Sequence, residues 1–100
     1  MLNIKKTIEN EIATIQVEGR LDAVTASDLE AVLVESIPGA TALTLDLKGL
    51  EYISSAGLRV LLSAHKTMSD QNKKMTVINV NDAIMEIFDI TGFSEILTIG

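Results

Sequence analysis

The sequence has few of the residues that build metal and thiol sites. None of its 100 residues is cysteine, which excludes a disulfide framework, a thiol nucleophile and a thiolate ligand for a metal. A single histidine leaves zinc without its usual set of ligands. Aromatic residues are only 3% of the chain, so leucine, isoleucine, valine, methionine and alanine must build the core. We expect neither a metal site nor a bound cofactor.

Positive charge and long apolar runs are also scarce. The chain has 8 lysines and arginines against 14 acidic residues, for a net charge of −6. This balance argues against binding to nucleic acid or to an anionic membrane surface, and it suits a basic patch on a partner. No apolar run approaches the roughly 20 residues of a membrane span, so we expect no membrane insertion. Lysines interrupt residues 1–6 too early for a signal peptide, and we expect a cytoplasmic protein.

The residues that remain are largely aliphatic, and the hydrophobic content is 47%. This is enough for one core in a chain of this length, so we expect a single domain over residues 1–100. In two segments near the start, 2–8 and 13–17, apolar residues alternate with polar ones. The alternation predicts an antiparallel hairpin with its turn at 9–11.

Helical spacing of the apolar residues begins near residue 25. Thr25 with Asp28 matches a capping box, Val24 with Leu29 has the spacing of a hydrophobic staple, and Pro38–Gly39 should end this helix. The remaining predicted elements are a strand at 43–47, a helix at 55–71, a buried strand at 75–80, a helix capped by Asn81 and terminated by Gly92, and a last strand at 95–99.

This order of elements predicts an α/β fold with a mixed, mostly parallel sheet, an N-terminal hairpin and helices packed against the sheet. Helices that connect parallel strands make right-handed crossovers, and open sheets of this kind carry functional sites at the carboxyl ends of their strands. The loops at 19–25 and 48–55 both lie at such ends. We therefore expect Asp22 and Ser55 to share one surface although they are far apart in the chain.

Two serines stand where the second of these loops enters its helix. Ile53 and Leu58 have the spacing of a hydrophobic staple, which makes Ser54 the N-cap and Ser55 the first helical residue. Backbone N–H groups lack partners there and the helix dipole is positive, so a phosphate on Ser55 would find favourable donors. The alternative is a serine cap with no further role, since serine is among the commonest N-caps.

Catalytic interpretations of these residues lack support. Ser55 and His65 lie on one predicted helix at a separation of about 15 Å along its axis, which is too far for a catalytic pair. The G-x-S-x-G elbow and the glycine-rich phosphate loops are absent. Asp22 and Asp46 are candidates for a carboxylate pair on a metal, but a turn cap and a strand-end acceptor are commoner roles. We predict that the protein is not an enzyme and that His65 is a partly buried helix residue.

Four segments form a combined pattern with this order of elements: Gly19–Asp22 with Thr25-Ala26, Asp46-Leu47, Tyr52–Leu58 with its S-S-A-G-L sequence, and Phe88–Phe93. With this pattern the chain resembles a STAS domain over nearly its whole length. More narrowly, it is similar to the bacterial anti-sigma-factor antagonists.

The resemblance implies a partner-switching function. An unphosphorylated antagonist binds an anti-sigma factor, often itself a serine kinase, and so frees a sigma factor for transcription. Phosphorylation of one serine prevents this binding, and a serine phosphatase reverses it. The phosphorylated residue matches Ser55, with Ser54 as a minor candidate. The matched partner surface consists of Gly19, Arg20, Asp22, Thr25, Ser54, Ser55, Ala56 and Gly57.

The chain departs from the family pattern at two positions. Many members have aspartate before the phosphorylated serine, where this chain has Ser54, and an acidic residue before the Leu-Asp of the turn, where it has Arg20. The first departure leaves a second hydroxyl as a target, and the second bears on which partner is recognised. Two alternative functions stay open: a non-switching STAS subunit of a membrane-lipid transport complex, and a small nucleotide-binding or hydrolytic α/β enzyme.

Overall fold

A computed structural model describes residues 2–100. Strands and helices alternate through this part of the chain, and none of its helices is long and apolar enough to cross a membrane. The elements are, in order, β1 (Leu2–Glu9), β2 (Ile12–Leu21), α1 (Ala26–Ser36), β3 (Ala42–Asp46), β4 (Leu50–Ile53), α2 (Ser55–Asp70), β5 (Lys74–Ile78), α3 (Asp82–Thr91) and α4 (Phe93–Ile96).

These strands form one mixed sheet. β1 runs antiparallel to β2 along its whole length. β2 then pairs in parallel with β3 over its first half and with β4 over its last residues, while β3 pairs in parallel with β5. The predicted α/β fold, its hairpin and the parallel pairing of the later strands are confirmed.

The period-two pattern of the strands determines which face of the sheet is covered. Ile15 and Val17 of β2 are fully buried, and so is Leu45 of β3. Thr14 and Thr44 face the other way, pair with each other and are only half-buried. The core therefore lies on the aliphatic face of the sheet, where helices such as α2 bury their own apolar residues against it.

β4 lies within a segment that the sequence predicts as a loop. A register shift places Gly19 opposite Leu50 but Arg20 opposite Tyr52, which leaves Glu51 as the extra residue of a bulge. The buried residues of β4 are consequently Leu50 and Ile53, at its two ends. The alternation that would reveal a strand is lost for this reason.

The predicted last strand at 95–99 is wrong. Gly92 ends α3 in a left-handed conformation, with φ 82°, as predicted, but the chain then turns at once into α4. Among the described residues, one parallel bridge follows, between Ile99 and Val77 of β5. Leu97 is buried at the end of α4, which explains why an apolar segment occurs here without forming a strand.

Candidate functional site

The pairing of β2 with β4 brings two strand-to-helix loops together. Leu21 and Ile53 stand opposite each other at the carboxyl ends of these strands. The Ser54 N–H donates a hydrogen bond to the Leu21 carbonyl oxygen at 2.8 Å. Asp22 and Ser54 thus begin their loops at adjacent positions, and the Asp22 turn lies at the same edge of the sheet as the start of α2.

Gly19 and Arg20 lie at the bulge that precedes the turn. Gly19 has φ 98°, a conformation that glycine adopts at little cost, and its N–H donates to the Gly49 carbonyl oxygen at 2.9 Å. The shifted register places Arg20 beside Tyr52, and its guanidinium carbon lies 4.3 Å from the centroid of the ring. This cation–π contact holds Arg20 against the end of β4.

Asp22 starts the helical turn that leads into α1. Its Oδ1 accepts hydrogen bonds from the N–H groups of Val24 and Thr25, each at 3.0 Å. The bond from the Thr25 N–H is the main cause that holds the pKa of Asp22 below its usual value, against an opposing effect of desolvation. The Thr25 hydroxyl, the Val24 N–H and the charge of Arg20 lower this pKa further.

The predicted capping box at Thr25 is wrong. Thr25 already has helical backbone angles, φ −88° and ψ −13°, and its side chain makes no cap hydrogen bond. Its hydroxyl instead accepts from the Asp22 N–H and donates to the Arg20 carbonyl oxygen, both at 2.9 Å. Val24, the predicted staple residue, is 82% exposed. The helical turn starts earlier, at Asp22, and the Thr25 hydroxyl stabilises it through these two hydrogen bonds.

The predicted cap of α2 is confirmed. Ser54 is the N-cap, with an extended backbone, and its Oγ accepts from the Gly57 N–H at 3.2 Å. Ile53 and Leu58 are both buried, as the staple spacing predicts. Ser55 is the first helical residue and is exposed, and its hydroxyl makes no hydrogen bond within residues 2–100.

Gly57 and Ala56 shape the surface around these serines. Gly57 is buried, and a Cβ atom there would lie 2.7 Å from Cγ of Leu21 and 2.9 Å from Cγ1 of Ile53. Gly57 therefore supports the surface from beneath, because only glycine lets α2 approach the end of β2 so closely. Ala56 is half-buried and lines a depression of about 350 Å³ between α1 and α2, together with Arg59.

Two residues considered for catalytic roles, His65 and Asp46, lie at other places in the fold. His65 is half-buried further along α2, as predicted, and lines a separate cavity with Lys73. Asp46 is a strand-end acceptor, as predicted, because its Oδ1 accepts from the Lys48 N–H at 3.0 Å. Within residues 2–100, no group of three or more His, Asp or Glu side chains is placed to hold a metal. The site offers the exposed hydroxyl of Ser55 for recognition.

Comparison with known proteins identifies the family. Residues 4–98 match the family described as "Mlab, STAS domain". The chain belongs to the STAS-domain family. The anti-sigma-B factor antagonist of Staphylococcus aureus (strain NCTC 8325 / PS 47) is 29% identical to this STAS domain over 97 residues, which cover 96% of this chain and 90% of the relative.

Two solved structures show the same fold as this STAS domain. An anti-sigma factor antagonist from Mycobacterium paratuberculosis has a TM-score of 0.90 and 21% identity, over 99% of this chain and 85% of that one. The Bacillus cell fate determinant SpoIIAA in its phosphorylated form has a TM-score of 0.77 and 15% identity, over 100% of this chain and 91% of that one.

The structure adds two residues to this edge of the STAS domain that the sequence interpretation did not single out. Tyr52 meets Arg20 because of the bulge, which leaves no periodic signal in the sequence. Arg59 follows Ser55 by one helical turn, and the spacing of four residues was a signal that could have found it.

Proposed function

We propose that this STAS domain is an anti-sigma-factor antagonist that is switched by phosphorylation of Ser55. The unphosphorylated protein binds an anti-sigma factor that is also a serine kinase, and phosphorylation releases it, which regulates sigma-factor-dependent transcription. The observation that carries the proposal is the exposed Ser55 hydroxyl at the start of α2, beside the Asp22 turn. The antagonist relative from Staphylococcus aureus and the phosphorylated Bacillus structure support it.

The two serines differ in their availability to a kinase. The Ser54 side chain is half-buried and its oxygen is engaged with the Gly57 N–H. The exposed Ser55 hydroxyl makes no such bond within the described residues. A phosphate on Ser54 would disrupt the cap, whereas a phosphate on Ser55 projects from an intact helix start. Ser55 is therefore the better target.

Exclusion at the interface accounts for the switch. A phosphoserine carries about −1.5 to −2 charges, and burying it against a partner brings charge repulsion and desolvation. The proposed partner surface is the one that the family pattern predicts: Gly19, Arg20, Asp22, Thr25, Ser54, Ser55 and Ala56 with Gly57 beneath. ATP, Mg²⁺ and the catalytic base belong to the kinase, and a serine phosphatase resets the switch in the cytoplasm.

The proposal is tested with an anti-sigma factor/serine kinase from the source organism. We expect ATP to place one phosphate on Ser55 and Ser55→Ala to abolish it. Ser54→Asp is the matched control, because aspartate preserves the N-cap acceptor but offers no hydroxyl. If phosphorylation persists in Ser55→Ala and disappears in Ser54→Asp, the modified residue is Ser54 and the proposal is contradicted.

Binding of the modified forms tests the switch itself. By titration calorimetry, Ser55→Ala should bind the kinase, the phosphorylated protein should bind at least about tenfold more weakly, and Ser55→Asp should lie between them. Circular dichroism should show that the fold is unchanged. Equal affinities for all forms would favour the non-switching STAS subunit of a lipid transport complex.

A further inference from the structure

Arg59 lies one helical turn after the proposed phosphorylation site. Ser55 and Arg59 are both exposed residues of α2 and are four residues apart. Residues at this spacing lie on the same face of a helix, with Cβ atoms about 5–6 Å apart. The flexible arginine side chain can therefore reach a group attached to the Ser55 oxygen without any change in the backbone.

The guanidinium of Arg59 has no ionic partner within residues 2–100, where the ion pair that forms joins Lys6 to Glu35. Arg59 shares the depression between α1 and α2 with Glu30, without an ion pair between the two. The chain has one other arginine, Arg20, which is held over the ring of Tyr52. Arg59 is thus the arginine that remains available for a new anion on α2.

We propose that Arg59 is the intramolecular counter-ion of the phosphate on Ser55. This inference rests on the proposed function, because it requires phosphorylation of that serine. The planar guanidinium donates two N–H groups to two phosphate oxygens, a geometry that arginine provides and lysine does not. Arg59 thereby acts as a positioning residue, which holds the phosphate along the surface of α2.

The contact between Arg59 and the phosphate lengthens the time for which the protein stays phosphorylated and released from its partner. A phosphate that is paired with a guanidinium is stabilised in its doubly charged form, so its second pKa falls from the ordinary value of about 6. A phosphatase must withdraw the phosphate from Arg59 before it can bind, which slows dephosphorylation. Other charged groups around this edge include Glu30 of α1, Glu51 of β4 and, in the preceding turn, Arg20 and Asp22. They are unchanged when Arg59 is replaced.

The experiment uses the full chain with phosphoserine incorporated at position 55 during synthesis. The second pKa of the phosphate is measured by ³¹P NMR in the parent protein, Arg59→Gln, Arg59→Lys and Arg20→Gln. We expect Arg59→Gln to raise this pKa by at least about 0.3 units, the equivalent of one helical ion pair at this spacing. Arg59→Lys should raise the pKa by about half as much as Arg59→Gln does. Arg20→Gln should raise it by less than half as much.

Dephosphorylation by alkaline phosphatase provides a second measurement on the same proteins. We expect Arg59→Gln to lose its phosphate at least about twice as fast as the parent, and Arg20→Gln to match the parent. An unchanged pKa and rate in Arg59→Gln, or an equal shift in Arg20→Gln, would overturn the role of Arg59. Because the phosphate is installed without a kinase, these results are independent of whether a kinase modifies Ser55 or a partner is released.

Discussion

Asp22 has a structural role and also belongs to the proposed partner surface. Its carboxylate holds the N–H groups of Val24 and Thr25, and the same residue lies on the proposed partner surface. A large substitution such as Asp22→Lys would therefore damage the turn as well as the interface. Asp22→Asn separates the two, because asparagine keeps an oxygen acceptor for both N–H groups while it removes the charge.

We expect Asp22→Asn to change how stability depends on pH. The folded-state pKa of Asp22 is lowered, so its charge stabilises the fold above the unfolded pKa of about 3.9. That contribution is lost as the pH falls through the lower, folded-state pKa. Thermal midpoints from circular dichroism should therefore fall more steeply in the parent than in the variant below about pH 4. If the thermal midpoints of the two proteins fall equally steeply below about pH 4, this role of the Asp22 charge is contradicted.

The serine cap was predictable from sequence and the first cap was not, for a local reason. Ser54 is framed by Ile53 and Leu58, and all three belong to one turn whose spacing is unambiguous. Near α1 two residues are able to cap, Asp22 and Thr25, and the capping box spacing favoured the wrong one. The choice depends on where the backbone first turns, which the bonds of β2 to its neighbours determine.

The contact between α2 and the end of β2 is the packing contact that positions the site. Gly57 lies in the first turn of α2, where a Cβ atom would meet Leu21 and Ile53 at less than van der Waals distance. Those two residues are also the last of β2 and β4, which carry the Asp22 turn and the Ser54 cap. The position of the serines relative to the turn therefore depends on this close approach.

We expect Gly57→Ala to destabilise the protein although alanine favours helices by about 1 kcal/mol over glycine. The added methyl group must displace Leu21 or α2, and overpacking of this kind typically costs about 1–3 kcal/mol. Ser63→Ala, at an exposed position of the same helix, controls for propensity and should leave stability nearly unchanged. Denaturant unfolding measures both variants, and a more stable Gly57→Ala protein would show that the contact is loose.

Elements with a regular period were predictable, and the two short ones were not. β2 and α2 show clear alternation or helical spacing over their lengths. β4 lost its alternation to the bulge, and α4 is a single turn that depends on the left-handed Gly92 and the burial of Leu97. Such elements are decided by contacts between distant segments, which a local pattern does not contain.

The topology of the whole molecule brings the two loops of the site together. The order of strands and helices was enough to place the Asp22 turn and Ser55 at one edge, because parallel strands present their carboxyl ends on the same side. The order of elements does not predict which side chains contact each other at this edge. The pairing of Arg20 with Tyr52 and the contact of Leu21 with Gly57 depend on a shift of one residue between β2 and β4.

One hydrophobic core includes residues of this edge and of the rest of the molecule. Loss of core packing should therefore also destabilise the site. Leu61 of α2 is fully buried, and Leu61→Ala should lower the free energy of unfolding by about 2–5 kcal/mol. Tyr52 is the only tyrosine and the chain has no tryptophan, so its fluorescence reports the site while circular dichroism reports the helices. Both transitions should move together, as in two-state unfolding.

Val34→Ala, at a residue that is 67% exposed, is the control and should stay within about 0.5 kcal/mol of the parent. A Tyr52 transition that does not move in Leu61→Ala would mean that the edge unfolds independently of the core.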